Sequence, residues 1–536
     1  MTASNSTSAQ HDHHGGPSRG IIRRIALGDM ITRSARVHRN AIALVDGDER
    51  MSYAALEFHA NQFAHHLQST GLQRGDKVAV LASNSVEFLI AAFGILKAAM
   101  VWVPINYLLA SEDIRYVLEH ADVRYVVIDE ALYERADLRS VIEQDLRLAA
   151  ITLKPGRTDA EATALRVATQ HLPATEPDVE INDNDLSLIM YTSGTTGKQK
   201  GVMHSHLSVH SALMSNVAES ALDRHCVCSC ILPLFHCAQF AMAGAYLMAG
   251  SSVIIFRGFD AKRSLDAIER ERITHFTGLP LMYAAMLQEP TRAERDLSSL
   301  ELCSYGMAPM PKSMLEKLIA EFCPHFTLGT GQTEAFPVTA RFRKEEQLRR
   351  FGSYWGQATM VNDMAVMDDD GHLLAPGEIG EIVHRGPNIM LGYYKDPEAT
   401  AAVSRFGWHH TGDMGMFDED GQLLFLDRKK DVVKTGGENV ASVKVEEILM
   451  RHPGISNAAV VGLSHVRWGE AVTAFVLIRP GATVEPQEVI DFARQYLAPF
   501  ETPKHVRVLQ EFPMTPTGKI QKHKLRLQFA QLFDDL

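Results

Sequence analysis

The tightest constraint on the fold is the way short apolar runs alternate with segments of helical period early in the chain. Ala54 to Leu67 carries apolar residues at helical spacing, Lys77-Val78-Ala79-Val80-Leu81 reads as a buried strand, and Val86 to Ala99 predicts a helix. Val101-Trp102-Val103-Pro104-Ile105-Asn106 and Arg124-Tyr125-Val126-Val127-Ile128-Asp129 are two further strands. Apolar runs without alternation belong to strands covered on both faces, and strands separated by helices pair in parallel. The expected class is α/β, with a large N-terminal domain of parallel and mixed sheets covered by helices, and a small C-terminal α/β domain.

A chain of 536 residues exceeds what one core usually supports, so at least two domains are expected. The balance of 53 Lys+Arg against 65 Asp+Glu gives a net charge of -12, which excludes a nucleic-acid-coating surface. A polyanionic ligand must then be held by a local cluster. Six scattered cysteines form no disulfide framework and point to a reducing compartment, the cytoplasm. Cys226, Cys228 and Cys230 alternate as on one strand face, unlike common zinc spacing, and read as buried thiols.

No Asp, Glu, Lys or Arg occurs from Cys226 to Phe256, but Pro233, Gly244 and Gly250-Ser251-Ser252 divide that stretch into strand, turn, helix and strand. No integral membrane segment is expected. Residues 1–22, rich in Ser, Thr, Gly and His, read as a disordered extension and not a secretory signal.

The chemistry concentrates in Tyr191-Thr192-Ser193-Gly194-Thr195-Thr196-Gly197-Lys198-Gln199-Lys200-Gly201, which follows an apolar run from Leu186. Glycines let backbone N–H groups turn toward an anion, hydroxyls add donors, and lysines supply charge. The spacing is not that of a Walker A loop, which needs four residues between its first glycine and Gly-Lys-Ser/Thr. Here Thr195 and Thr196 alone separate Gly194 from Gly197.

This run resembles the signature loop of the adenylate-forming superfamily, which includes acyl-CoA synthetases, luciferases and peptide-synthetase adenylation domains; Gln199 stands where that family usually has proline. Further resemblances follow in order along the chain. Leu232-Pro233-Leu234-Phe235-His236 is similar to the motif whose aromatic residue and histidine border the acyl pocket. Ser304-Tyr305-Gly306-Met307-Ala308-Pro309-Met310 looks like the segment beside adenine, and Gly329-Thr330-Gly331-Gln332-Thr333-Glu334 like the aromatic-Gly-x-Thr-Glu motif, with Thr330 at its aromatic position. Thr411-Gly412-Asp413, Asp427-Arg428-Lys429-Lys430-Asp431, Gly436-Gly437-Glu438 and Thr515-Pro516-Thr517-Gly518-Lys519 complete the series.

The resemblance implies ATP, Mg²⁺ and coenzyme A, with Thr192, Glu334, His236 and Lys519 as catalytic residues. Nucleotide contacts are implied for Thr192, Ser193, Gly194, Thr195, Thr196, Gly197, Lys200, Gly306, Ala308, Thr330, Gln332, Thr333, Asp413, Arg428 and Lys519. Within that set Glu334 holds the metal, since Mg²⁺ favours one or two carboxylates beside phosphate oxygens. Asp413 and Arg428 take the ribose. Gly436, Gly437 and Glu438 line the coenzyme A channel, and Lys430 is the pivot.

The implied domains are 23–427 for adenylation, 428–431 as hinge and 432–536 as a mobile C-terminal unit. The activity implied is an ATP-dependent carboxylate-CoA ligase working through an acyl-adenylate on an apolar fatty, aryl or alicyclic acid. The chain stops soon after Lys519, leaving no room for a carrier domain, which favours free coenzyme A. Two other readings stay open: transfer of the acyl group to a carrier protein or amine, and a weakly active nucleotide- or acyl-binding sensor. The expected partners are a small carboxylic acid and coenzyme A, with no nucleic acid; a homodimer is left open.

Overall fold

The computed structural model describes residues 24–153, 164–192, 199–306, 310–350, 353–514 and 520–533. Among these, the strands assemble into three sheets of fourteen, seven and five members.

The seven-stranded sheet contains the early strands predicted from sequence. Lys77–Leu81 pairs in parallel with Val101–Pro104 on one side and Val123–Asp129 on the other. Apart from half-buried Lys77 and exposed Arg124 near their starts, their side chains are buried on both faces, which is why these runs show no polar alternation. The Val86–Lys97 helix lies between the first two and is buried along its whole length. It ends short of the expected Ala99, which adopts a left-handed φ of 56° in the turn to the next strand. At the other edge, Leu186–Thr192 and Lys200–Ser205 form an antiparallel pair, Thr192 opposite Lys200, and Gly392–Tyr393 adds outside Lys200–Ser205.

In the fourteen-stranded sheet, Val227–Cys230, Ser252–Ile255, His275–Gly278, Leu302–Tyr305 and Phe326–Thr330 pair in parallel. The uncharged stretch after Cys226 becomes strand, Cys237–Ala249 helix and strand, with breaks at Pro233 and Gly250, whereas Gly244 lies inside the helix and does not interrupt it. From Ala340 onward the pairing is antiparallel, through Ala340–Phe342, Tyr354–Ala358, Leu423–Arg428, Trp408–Phe417 and Gly380–Arg385. No helix of the described residues is long and apolar enough to cross a membrane. All six cysteines are buried with free thiols.

Side chains fasten the layers together. Trp102 is fully buried, with its ring 4.4 Å from that of Phe240, joining a strand of the smaller sheet to the Cys237–Ala249 helix. Asn84 donates to the carbonyls of Leu232 (2.8 Å) and Phe256 (3.0 Å) and accepts the Leu234 N–H (2.8 Å), tying the loop before His236 to the seven-stranded sheet. Lys97 donates to Thr32 (2.7 Å) and Glu57 (2.9 Å), a buried knot holding the first three helices.

The five-stranded sheet spans Val433–Thr435 to His505–Leu509 and buries its own apolar face around Val445, Val460 and Val476. Gly436 and Gly437, at φ 61° and 89°, form the two-residue turn between Val433–Thr435 and Glu438–Val440. Two residues with positive φ are what a tight hairpin of this hand requires. The Ser442–Leu449 helix packed on this sheet meets the larger body: Ser353 donates to Glu447 (2.7 Å), and Asp427 accepts the Ser442 N–H.

Candidate active site

The strand ending at Thr192 and the strand opening at Lys200 are register partners, so the phosphate-loop motif is the connection of a hairpin at a sheet edge. Ser193, Gly194, Thr195, Thr196, Gly197 and Lys198 lie outside the described residues, as do Ala308 and Lys519. Gln199 is held by its carbonyl, which accepts the Tyr116 hydroxyl at 3.1 Å.

Lys200 extends over the ring of Tyr393, its Nζ 4.8 Å from the ring centroid. The Tyr393 hydroxyl donates to Glu334 Oε1 at 2.9 Å. Burial, followed by the neighbouring Glu334 carboxylate, pushes the Tyr393 phenol well above its ordinary range, so it stays a donor. Glu334 is anchored from behind, its carbonyl accepting the Met390 N–H at 2.8 Å. Among the described residues neither Lys200 nor Glu334 forms an ion pair.

The neighbours of Glu334 are fixed just as firmly. His204 Nε2 donates to the Thr333 carbonyl at 2.7 Å, and the Thr333 hydroxyl is 3.4 Å from Cys237 Sγ. Gln332 Oε1 accepts from His409 Nε2 at 3.2 Å. Thr330 ends its strand, accepting the Thr339 N–H at 2.9 Å. Gly306 sits where a Cβ would come within 2.9 Å of the Gly329 carbonyl, so two loops approach as backbones there. Tyr305, on the strand beside Phe326–Thr330, turns into the core and donates to Gln347 at 2.8 Å.

His236 caps the Cys237–Ala249 helix, its Nδ1 accepting the Ala238 N–H at 3.3 Å. Of the histidines that follow the phosphate loop, His206 lies in the core, accepting the Leu27 N–H at 3.1 Å.

His409 and Asp413 share the strand Trp408–Phe417, so Thr411-Gly412-Asp413 is part of a paired strand rather than a surface turn. Pairing continues through Arg428, opposite Asp413, and Arg428 Nε lies 3.4 Å from the Asp413 carboxylate. Arg428 therefore belongs to the strand that precedes the charged turn, and Lys430 is exposed beyond it. Buried Glu381 organises this end: it accepts the Gly412 N–H (2.9 Å), meets His410 Nδ1 (3.1 Å) and pairs with Lys429 (3.2 Å). Burial opposes charge on Glu381, but these three partners outweigh it and hold the carboxyl below its ordinary range.

Lys200, Thr333, Glu334, Gln332, Asp413 and Arg428 are thus linked by a short series of side-chain and strand contacts. Gly436, Gly437 and Glu438 are exposed on the hairpin of the five-stranded sheet, where Gly436 donates to the Trp468 carbonyl at 2.8 Å. Lys444 pairs with Glu501.

The sequence profile described as AMP-binding enzyme matches residues 31–394, and that of the AMP-binding enzyme C-terminal domain matches 444–519. The chain belongs to the AMP-binding enzyme family. This enzyme is similar to a feruloyl-CoA synthase of Amycolatopsis sp, with 33% identity over 513 residues covering 95% of this chain and 100% of that protein. It is similar also to the long-chain-fatty-acid–CoA ligase FadD13 of Mycobacterium tuberculosis, with 34% identity covering 94% and 98%. Among solved structures, ATP-bound MatB from Rhodopseudomonas palustris superposes with a TM-score of 0.87 at 28% identity, covering 95% of this chain and 100% of that one. These likenesses make this AMP-binding enzyme an AMP-forming acid–CoA ligase of the adenylate-forming superfamily.

Two site residues escape a reading of the sequence. Tyr393 sits in Gly392-Tyr393-Tyr394, which shows only a short aromatic pair, and Glu381 stands in an ordinary alternating strand. Neither carries a local signal, because each acts on residues far away in the chain.

Proposed function

We propose that the enzyme activates an apolar fatty, aryl or alicyclic carboxylate at the cluster around Glu334 and passes the acyl group to free coenzyme A. The observation that carries the site assignment is the meeting of Lys200, Tyr393 and Glu334, drawn from three separate parts of the chain. Relatives named for ferulate and for long-chain fatty acids support an acid with a largely apolar body.

In the first step a carboxylate oxygen attacks the α-phosphorus of ATP, giving acyl-adenylate and pyrophosphate. Two anions must approach, so the chain has to offset charge before they meet. Lys200 and Lys519 supply cations, while Thr192, Ser193, Gly194, Thr195, Thr196 and Gly197 offer hydroxyl and backbone donors to the phosphates. Thr333 donates its hydroxyl to the α-phosphate. Glu334 offers a carboxylate free of ion pairs among the described residues, the oxygen donor Mg²⁺ favours. When bound, Mg²⁺ neutralises phosphate charge.

Asp413 accepts from the ribose hydroxyls, Arg428 supports it, and Gly306, Ala308, Thr330 and Gln332 border the adenine. His236 and Phe235 border the acyl group. In the second step the coenzyme A thiol attacks the acyl carbon and AMP leaves. Lys519 must first vacate the site, so the unit 432–536 turns about 428–431, with Lys430 as pivot, and brings Gly436, Gly437 and Glu438 to the thiol channel. A cytoplasmic setting is supported by six free thiols.

The test is a panel of carboxylic acids graded in length and ring content. Acid-dependent pyrophosphate release followed by coenzyme A-dependent AMP release is expected; product formed only with a carrier protein or amine would overturn free coenzyme A as acceptor.

A further inference from the structure

Glu334 and Lys200 carry opposite charges and each contacts Tyr393, yet among the described residues they do not pair with one another. At contact distance and the effective dielectric of a protein surface, two such charges attract by about 4 kcal/mol. If they paired, each would cancel the group the reaction needs: the cation for the triphosphate, the carboxylate for the metal. Tyr393 stands between them, and the fold fixes it there.

Gly392–Tyr393 pairs antiparallel with the strand that begins at Lys200, Tyr393 directly opposite Val202. Lys200 is therefore the diagonal neighbour on the same face, within reach of an aromatic ring. The Tyr393 side chain is buried among Val202 and Met390, and its N–H donates to Thr400 Oγ1 at 2.8 Å. Its ring face takes the Lys200 ammonium at 4.8 Å, and its hydroxyl takes Glu334 Oε1 at 2.9 Å. An aromatic face attracts a cation without neutralising it, and a neutral hydroxyl satisfies one carboxylate oxygen without discharging the group.

We propose that Tyr393 is a positioning residue: a spacer that holds Lys200 and Glu334 apart, so that each reaches MgATP with its charge unspent. This rests on the reading of the site as that of an acid–CoA ligase. Tyr393 itself touches neither ATP nor the acid in this proposal.

The experiment measures ATP affinity with and without Mg²⁺, in the absence of acid so that no turnover occurs, for wild type, Y393F, Y393L, E334Q and Y393L/E334Q. Y393F keeps the ring but loses the bond to Glu334. Its metal-free ATP affinity should stay within about twofold of wild type, while the Mg²⁺ concentration for half-maximal ATP binding shifts about three- to tenfold. Y393L removes the spacer and lets Lys200 pair with Glu334, so metal-free ATP affinity should fall about tenfold.

Adding E334Q to Y393L removes the new partner of Lys200 and should restore metal-free affinity to the level of E334Q alone. A merely structural role for the ring predicts no such rescue. Failure of the rescue in folded protein overturns the proposal; if Y393L does not fold, an unchanged Mg²⁺ dependence in Y393F overturns it. Wild-type protein that binds no ATP overturns the ligase site and this inference together, whereas normal wild-type binding with unresponsive variants overturns this inference alone.

Discussion

Asp413 and Arg428 face each other as register partners of neighbouring strands, with Arg428 Nε 3.4 Å from an Asp413 carboxylate oxygen. Asp413 is buried and Arg428 partly exposed, so the arginine orients a carboxylate already held by its strand. Asp413→Ala should raise the KM for ATP about 10–100-fold, the loss of hydrogen bonds to a charged group. Arg428→Ala should raise it less, by about three- to tenfold. Equal effects of the two substitutions in steady-state kinetics would mean that Arg428 binds nucleotide as strongly as Asp413 does.

Lys519 should matter in one half-reaction only. Lys519→Ala is expected to slow acyl-adenylate formation on the order of 10²–10³-fold, the cost of removing one donor aimed at developing charge. Thioester formation from supplied acyl-adenylate and coenzyme A should stay within about threefold of wild type, because in the proposed cycle Lys519 leaves the site before this step. Comparable loss in both half-reactions would contradict a turning C-terminal unit.

The buried knot of Lys97, Glu57 and Thr32 ties three helices together. Lys97→Met would leave the mostly buried Glu57 carboxylate without its cation, which typically costs about 3–5 kcal/mol. The denaturation midpoint should fall markedly, and adding Glu57→Gln should recover much of the loss because the stranded charge disappears. A double variant no more stable than Lys97→Met would show that packing of the lysine stem dominates.

Acid should destabilise the enzyme through its buried histidines. Burial, helped by neighbouring His410, lowers the His409 pKa to about 4; burial also lowers His204 and His206 to about 4 and His384 to about 3. Unfolded, each titrates near 6.5. Between these values the unfolded chain holds more protons, so their contribution is complete above about pH 6.5 and is lost as pH falls toward 4. Each histidine contributes at most about 1.4 kcal/mol per pH unit in that window. His409→Gln keeps a donor toward Gln332 but cannot titrate, so its denaturation midpoint should change less between pH 7 and pH 5 than that of wild type. Parallel profiles would refute the assignment to His409.

Several elements are legible from residues alone, for identifiable reasons. Lys77–Leu81 and Val123–Asp129 are largely apolar on both faces because helices cover both sides of a parallel sheet, and Pro233 and Gly250 after Cys226 mark actual breaks between strand and helix. The Gly436-Gly437 turn is equally local, since two positive φ values select glycine wherever the pair stands. The switch to antiparallel pairing after Phe326–Thr330 is not legible. It depends on which distant strands meet, and Ala340–Phe342 is too short to show any period.

The same division holds at the site. Motif order along the chain carried the resemblance to the adenylate-forming superfamily, and with it the expectation of nucleotide-binding groups, because glycines, hydroxyls, lysines and an acid recur in one ordered series. Tertiary structure decided which of these groups touch: Tyr393 between Lys200 and Glu334, His409 against Gln332, Glu381 beneath Gly412. Local patterns report propensity and period, which fall off within a few residues. Contacts between residues far apart in the chain come from sheet register and loop closure, and no short stretch of sequence encodes them.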